Sequence, residues 1–459
     1  MKIKKRIIIA VSAILIFLFS ALSFSACGEE KKPGYVSRSV TVNEDGTFKI
    51  LQLTDIHLIN STRTNKELER NYSLRDGWAE EAVTCIVEEA DPDLIIVTGD
   101  SIFTLDIVKA YTKTNDTLAA FKKFAKFMDS FEIPWLFLFG NHDEEGLLRH
   151  EDQAGSAEGA KKVLSDYLMS DELHYCWYDA GPENLNGIGN YIVNVLNRDG
   201  TVNQSLVMMD SGSYIRVYDE ESGKMMGNQR QYECIHDDQL DWYEAAIRSI
   251  SEKQNGGELV SSLFFLHIPF PEYQYVLEAY LDKLEELGED WKDTIKWDGV
   301  ERTLMTDIGE ITYHGGMYGE PPKEENQRVD TVLYKGHMYG DSSVCCSFVG
   351  TWRNKTYDGG HTFERIRALG SSKYVFCGHD HRNTFMFTYE GIRINYGMSI
   401  DYSANGISGD LTDLPQTIYD ETEQRGGTLI TLKPNSEVEI EQIHFWRNLY
   451  REALEAQGK

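Results

Sequence analysis

Five strand-length runs of apolar residues in this chain each stop at a residue able to carry a proton or bind a metal. The runs are 48–54, 93–98, 135–139, 262–266 and 374–377, and they lead into Asp55, Asp100, Asn141, His267 and His379. A sixth run, 205–209, leads into Asp210. Between them lie segments of helical periodicity: 78–90, a stretch with Leu118, Phe121, Phe124 and Met128 on one face, and 239–250 with Leu240, Tyr243 and Ile247 on one face. Strand–helix alternation of this kind predicts an α/β sheet with helices on its faces. The edge beyond the C-terminal ends of the strands is where such sheets bind ligands. One His or Asp at that edge would be an ordinary turn or core residue. Five together define a site.

The blocks read TDIH (54–57), TGD (98–100), GNHD (140–143), LH (266–267) and GHDH (378–381). Carboxylates bring charge to a divalent cation, and imidazoles suit Zn, Fe and Mn. Asp55 and His57, like His379 and His381, are two residues apart, which places each pair on one side of an extended backbone. Gly99, Gly140 and Gly378 permit tight turns where strand gives way to site.

This order of blocks resembles the calcineurin-like metallophosphoesterase family, whose pattern is D-x-H, GD, GNH with an acid, a lone His and GHxH. The likeness covers residues 48–384. HIPFPE (267–272), MDSG (209–212), GIGNY (187–191) and QLDWY (239–243) make it most similar to the purple-acid-phosphatase-29-like and Dcr2-like branch. The resemblance implies an α/β fold of two packed mixed β-sheets flanked by helices in four layers. It implies two divalent metal ions, Fe, Mn or Zn. One would be held by Asp55, His57 and His381, the other by Asn141, His267 and His379, with Asp100 bridging. A hydroxide between the ions would attack the phosphorus of a phosphate ester. His142 would face the leaving group, and Asp143 would either orient His142 or cap a helix. Purple acid phosphatases carry a Tyr three residues after the Asp of the GD block. Here that position is Phe103, which has no oxygen to offer, so a colourless or weakly coloured enzyme is expected.

The net charge of −29 argues against nucleic acid as a partner, because phosphate backbones need Lys and Arg. A phosphate ester can still bind where metal ions reverse the local charge. The seven cysteines contain no CxxC pair, so no disulfide framework is expected. Residues 1–6 are basic and 7–22 almost wholly apolar, the layout of an export signal. Ser25 and Ala26 before Cys27 resemble a lipobox, with Phe24 where Leu is usual. This reading makes residues 1–27 a signal peptide, Cys27 the lipidated residue, 28–39 a polar tether, and 40–450 the metallophosphoesterase domain with an insertion at about 273–365. The enzyme would then be a lipid-anchored lipoprotein on the outer face of a cell membrane; a signal anchor, or a cleaved signal and a secreted protein, are the alternatives. Within the insertion, YHGGMYGE and YKGHMYGD (from 313 and 334) suggest paired loops over the site, and His314, His337 and His361 read as turn residues.

The expected activity is hydrolysis of phosphate esters. Phosphomonoesterase, phosphodiesterase and nucleotidase share this chemistry. A non-catalytic binding lipoprotein would have lost a ligand or His142, and none is lost. An exported nuclease would want a basic, aromatic-lined groove.

Overall fold

The computed structural model describes residues 35–60, 64–65, 70–104, 116–145, 157–218, 225–289, 301–316, 349–352, 355–358, 361–381, 383–403 and 425–445. Cys27 and the signal segment, Cys345, Cys346, His337, the second half of the first Gly-rich repeat (317–320) and all of the second lie outside these residues. Among the described residues, Cys85, Cys176, Cys234 and Cys377 form no disulfide, and no helix is long and apolar enough to cross a membrane.

Twenty strands are described. Five form one mixed sheet: β2 (Phe48–Leu53), β5 (Leu94–Thr98) and β6 (Trp135–Leu138) run parallel, and β19 (Gly426–Leu432) and β20 (Val438–His444) extend the β2 side antiparallel. Nine form the other. Its parallel centre is β8 (Val202–Met208), β11 (Ser262–Phe265), β16 (Ser372–Cys377) and β18 (Ile392–Tyr396). On one side follow β7 (Tyr191–Leu196) and β1 (Val36–Thr41); on the other β17 (Met386–Tyr389), β13 (Gly309–Tyr313) and β12 (Arg302–Thr306). The remaining pairs are short: β3 (Thr64–Asn65) with β4 (Arg70–Asn71), β9 (Tyr214–Tyr218) with β10 (Met225–Tyr232), and β14 (Val349–Trp352) with β15 (Lys355–Asp358).

The centre of each sheet is buried on both faces, which is why β5 and β6 read as apolar runs rather than alternating ones, while β8 is buried throughout although it carries Asn203, Gln204 and Ser205. One hydrophobic core, containing Leu53, Ile96, Phe137, Met208, Phe265 and Phe376, joins the sheets to each other and to the helices that cover them. Tyr191 of the larger sheet reaches across it and donates its hydroxyl to the Phe137 carbonyl of the smaller one at 3.0 Å. Helices cover the outer faces: α1 (Tyr72–Ala90) and α2 (Thr117–Asp129) on the small sheet, α4 (Asp237–Gln254), α5 (Glu272–Glu286) and α6 (Thr362–Leu369) on the large one, with α3 (Ala157–Leu168) against α2. On α2, Asp116 accepts from the Ala119 amide and caps the helix, while Phe121 and Phe124 meet Phe137. Burying each such ring is worth about 1.5–3 kcal/mol. The result is the expected α/β fold of two packed mixed β-sheets in four layers.

Two boundaries differ from expectation. β1 begins at Val36 and pairs with β7, so ordered sheet starts inside the segment assigned to a tether up to residue 39. Within the stretch at about 273–365 expected as an insertion, α5, β12 and β13 are built into the nine-stranded sheet and its cover.

Candidate metal centre

The five blocks meet where the two sheets end side by side. The small sheet supplies Asp55 and His57 after β2, Asp100 after β5, and Asn141 after β6. The large sheet supplies His267 after β11, and His379 and His381 after β16. Backbone bonds stitch the loops together: Asp55 N–H to Gly99 O (3.1 Å), His57 N–H to Asp100 O (3.0 Å), and Gly378 N–H to His267 O (3.0 Å). Across the sheet boundary the His379 amide donates to Asp55 Oδ2 at 3.0 Å, and Gln52 Nε2 to the Cys377 carbonyl at 3.0 Å.

Two clusters result, sharing Asp100: Asp55, His57, Asp100 and His381, and Asp100, His267 and His379. In each, the ligand atoms lie within 4.8 Å of one another. Asp100 Oδ2 is 3.6 Å from His57 Nε2 and 3.2 Å from His267 Nε2, so one carboxylate oxygen faces both clusters. His381 Nε2 is 3.4 Å from Asp55 Oδ1. Asn141 Oδ1 and His379 Nδ1 lie 3.2 Å and 3.3 Å from His267 Nε2, which places Asn141 in the second cluster. All seven residues expected as ligands therefore converge.

The donor set fits a pair of cations. Asp100 Oδ2 and both ring nitrogens of His57 are buried without a hydrogen-bond partner, an arrangement that costs free energy unless something positive completes it. Burial pushes the Asp55 and Asp100 carboxyls up, but the surrounding imidazoles override it and hold both below the ordinary range. With the protein groups alone, His267 is pushed up to about 9: its burial acts the other way and Asp100 outweighs it. Burial and the neighbouring His267 charge push His379 well down. A proton on His267 occupies the place a divalent ion would take, and metal binding releases such protons.

The expectation of an extended D-x-H segment is corrected. The strand stops at Leu53, and Asp55 and His57 adopt left-handed backbone with φ of +51° and +54°. Asp100 (+51°) and His379 (+79°) do the same. Successive side chains are thus aimed by turns, not by pleat alternation. Each such residue costs about 1–3 kcal/mol and persists because the surrounding bonds over-determine it. Gly99 and Gly140 face each other at the centre. A Cβ on Gly99 (φ +92°) would come within 2.6 Å of the Gly140 nitrogen and of His267 Nδ1, and one on Gly140 would strike the Asp100 carboxylate. Only glycine lets these loops approach so closely.

His142 sits at the rim, its side chain 16 % exposed and its ring centroid 5.3 Å from that of His57. Its amide donates to Asp100 Oδ1 at 2.8 Å. Asp143 does not orient it, nor does it cap a helix. Its carboxylate accepts from the amides of Gly140 (2.8 Å), Asp100 (3.0 Å), Ser101 (2.9 Å) and Ile102 (3.3 Å) and from the Ser101 hydroxyl (2.6 Å). It clamps the GD and GNH loops together. The carboxylate on His142 is Glu145, with Oε2 at 2.6 Å from Nδ1. Phe103 stands edge-on to His142 at 5.0 Å and tilted to His57 at 5.4 Å, a wall rather than a ligand.

Motifs outside the five blocks brace the same loops. Asn190 Oδ1 accepts from the Asp210 amide (3.0 Å) and from Gln239 Nε2 (2.9 Å), and Ser211 Oγ accepts from the Ile268 amide (2.9 Å), which joins GIGNY, MDSG, QLDWY and HIPFPE. Buried Lys161 donates to both Asp210 oxygens (2.7 and 3.0 Å), and its Nζ lies 3.7 Å from Glu144 in the loop of His142. The sequence does not single out Lys161, Glu145 or Asp401, whose Oδ2 lies 2.9 Å from His381 Nδ1. Glu145 follows His142 at helical spacing, a faint signal; Lys161 and Asp401 carry none. His314 spends its ring on Glu301 (2.8 Å) and Thr388 (2.7 Å), away from this centre.

The fold and this pair of clusters define a phosphoesterase of the two-metal class. The chain belongs to the calcineurin-like phosphoesterase family, whose model matches residues 48–383. It is 24% identical over 387 residues to "Probable inactive purple acid phosphatase 29" of Arabidopsis thaliana, covering 81% of this chain and 76% of that one. It is 27% identical over 238 residues to "Phosphatase DCR2" of Saccharomyces cerevisiae, covering 50% of this chain and 36% of that one. Among solved structures it is similar to a dimetal phosphatase from Danio rerio at 10% identity and a TM-score of 0.40, covering 87% of this chain and 97% of the other.

Proposed function

We propose that this chain is an active hydrolase of phosphate esters, exported and held at a membrane through Cys27. The observation that carries the activity is the single Asp100 oxygen facing two buried ligand clusters, with His142 at their rim. Asp55, His57 and His381 would hold one divalent ion, Asn141, His267 and His379 the other. Bound there, the ions supply positive charge to the phosphoryl oxygens and acidify the attacking water. The protein does the rest. Asp55 and Asp100 fix the charge balance of the pocket. Asp143 keeps the GD and GNH loops in register, so that Asp100 and Asn141 face the same space. Glu145 engages His142 Nδ1 and turns Nε2 to the departing oxygen, to which it gives a proton.

The "probable inactive" in the name of the plant relative is said of that protein. Here all seven ligand residues and His142 are in place, which supports catalysis over mere binding. The export reading rests on residues 1–27: a basic start, an apolar run and the small residues before Cys27.

The test is a substrate panel on purified protein loaded with defined Mn, Fe or Zn. It should hold mononucleotides, sugar phosphates, phospholipid headgroups and bis-p-nitrophenyl phosphate, with Asp100→Asn as control. Turnover that the control lacks supports the proposal. No turnover with any metal, in protein that binds two ions, would make the chain a binding protein instead.

A further inference from the structure

We infer that Asp401 is a positioning residue for one metal site only, and that it makes the Asp55, His57 and His381 site the tighter of the two. The inference rests on the two-metal reading above and adds to it a difference between the sites.

His381 and Asp401 pair through Nδ1 and Oδ2 at 2.9 Å, with both side chains 6 % exposed or less. Donating Nδ1–H to a carboxylate fixes the tautomer, leaves the Nε2 lone pair for a cation and makes that nitrogen more basic. Nε2 is the nitrogen that faces Asp55 Oδ1. The arrangement is therefore carboxylate, imidazole, metal position, in line.

Asp401 is itself held on every side. Its carbonyl accepts from Arg425 Nε (2.9 Å) and from a second guanidinium nitrogen (2.6 Å). The same guanidinium lies 3.9 Å over the Tyr402 ring. Arg75, buried in the first turns of α1, donates to the Tyr402 carbonyl. Asp401 Oδ1 accepts from the Ser403 amide at 2.7 Å, and its own amide donates to Ser399 Oγ at 3.1 Å. That hydroxyl donates in turn to the Asp55 carbonyl at 3.3 Å. One short segment thus supports two ligands, His381 and Asp55, and both belong to the same cluster.

Among the described residues, neither His267 nor His379 has a carboxylate paired behind it as His381 has. His267 turns Nδ1 to the neutral carbonyl of Thr98 at 2.7 Å. The His379 ring is T-shaped to that of Tyr232, with centroids 4.4 Å apart. A backbone carbonyl orients an imidazole but adds no formal charge, and a neutral tyrosine ring adds none either. The extra negative charge behind His381 raises cation affinity at that site and at no other.

The experiment uses Asp401→Asn, which keeps the shape and an acceptor oxygen while removing the charge. It is placed in two backgrounds: His379→Ala, which leaves the first site, and His57→Ala, which leaves the second. Mn²⁺ binding is measured by calorimetry on the full chain. The expected result is a Kd about 10–100-fold weaker in the His379→Ala background and unchanged in the His57→Ala background. Equal weakening in both backgrounds, whether from misfolding or from general loosening, overturns the inference. No weakening in either also overturns it. If the parent protein binds no divalent ion at all, the two-metal reading fails and takes this inference with it; if the parent binds two ions and Asp401→Asn changes neither, the inference alone fails.

Discussion

Replacing Glu145 with Gln tests whether His142 acts as the acid that frees the leaving group. The contact is short, 2.6 Å, and the Glu145 side chain is only 6 % exposed, so water replaces the lost charge poorly. A hydrogen bond to an ionised partner is worth about 1.5–3 kcal/mol and a neutral one about 0.5–1.5. Glu145→Gln should therefore remove about 1–2 kcal/mol of support for His142. Expressed wholly in the transition state, that is a loss of about 5–30-fold in kcat. Deleting the imidazole with His142→Ala should cost more, about 10²–10⁴-fold. The assay compares an alkyl phosphate, whose alkoxide leaves badly, with p-nitrophenyl phosphate, whose phenolate needs little help. Both variants should be impaired mainly on the alkyl ester, with metal content near normal. The double variant should be no slower than His142→Ala, because the two residues act as one unit. Equal loss on both esters, or a further loss in the double variant, would refute this division of labour.

Asp100→Asn should lower the content of both metals and nearly abolish turnover while circular dichroism stays unchanged; loss of one ion alone would show that Asp100 does not bridge. Iron-loaded, oxidised protein should lack a strong tyrosinate charge-transfer band in its visible spectrum, because Phe103 stands where such a ligand would come from; an intense band would add a tyrosine to the ligand set. Glu144 is buried, and that burial, opposed by Lys161 and reinforced by Asp210 and Glu233, raises its carboxyl from 4.5 to about 8. The folded protein then holds a proton that the unfolded chain gives up, so stability should fall as pH rises from about 4.5 to about 8, by up to a few kcal/mol; Glu144→Gln should flatten this slope in thermal melts across pH 5–8, and an unchanged slope would assign it elsewhere. Cys27→Ser should abolish fatty-acid labelling and release the protein from membranes, and equal labelling of both forms would exclude acylation there.

The strands that carry the ligands could be read from the sequence to within a residue or two because they are mostly buried on both faces and so mostly apolar, with Lys49, Gln52 and Lys373 among the exceptions. The run 48–54 became Phe48–Leu53, and 135–139 became Trp135–Leu138. The start of α1 was missed for the opposite reason. Its first turns are polar, and two of those residues are buried for polar tasks: Arg75 donates to the Tyr402 carbonyl, and Asp76 accepts from the amides of Ile59 and Asn60 at 2.9 and 2.7 Å. The resemblance supplied the ligand list, and its Asp, Asn and His residues suit it because metals demand particular atoms. The supports of those ligands could not be read. Among 74 acidic residues nothing in composition marks Asp401, and only the fold brings it to His381. The resemblance offers Asp143 as an orienter of His142 or a helix cap, yet its partners are backbone amides and the Ser101 hydroxyl, which leave no trace in sequence.

The strand order β20-β19-β2-β5-β6 carries a consequence for how the protein is made. β2, the first strand of the small sheet to be synthesised, pairs with β19 from almost the other end of the chain, Phe48 opposite Leu432. At about 5–20 residues per second, the roughly 380 intervening residues take on the order of 20–80 s to emerge. Throughout that time FKILQL has one unpaired flank, the kind of edge that recruits strands from other chains. The same late segment brings Arg425, and His381 itself appears only shortly before it. A nascent chain thus has no complete ligand set until His381 emerges and no closed small sheet until β19 and β20 follow. Chains cut before residue 425 should aggregate rather than persist as a smaller enzyme, and a holdase that covers β2 should raise the yield of the full-length protein.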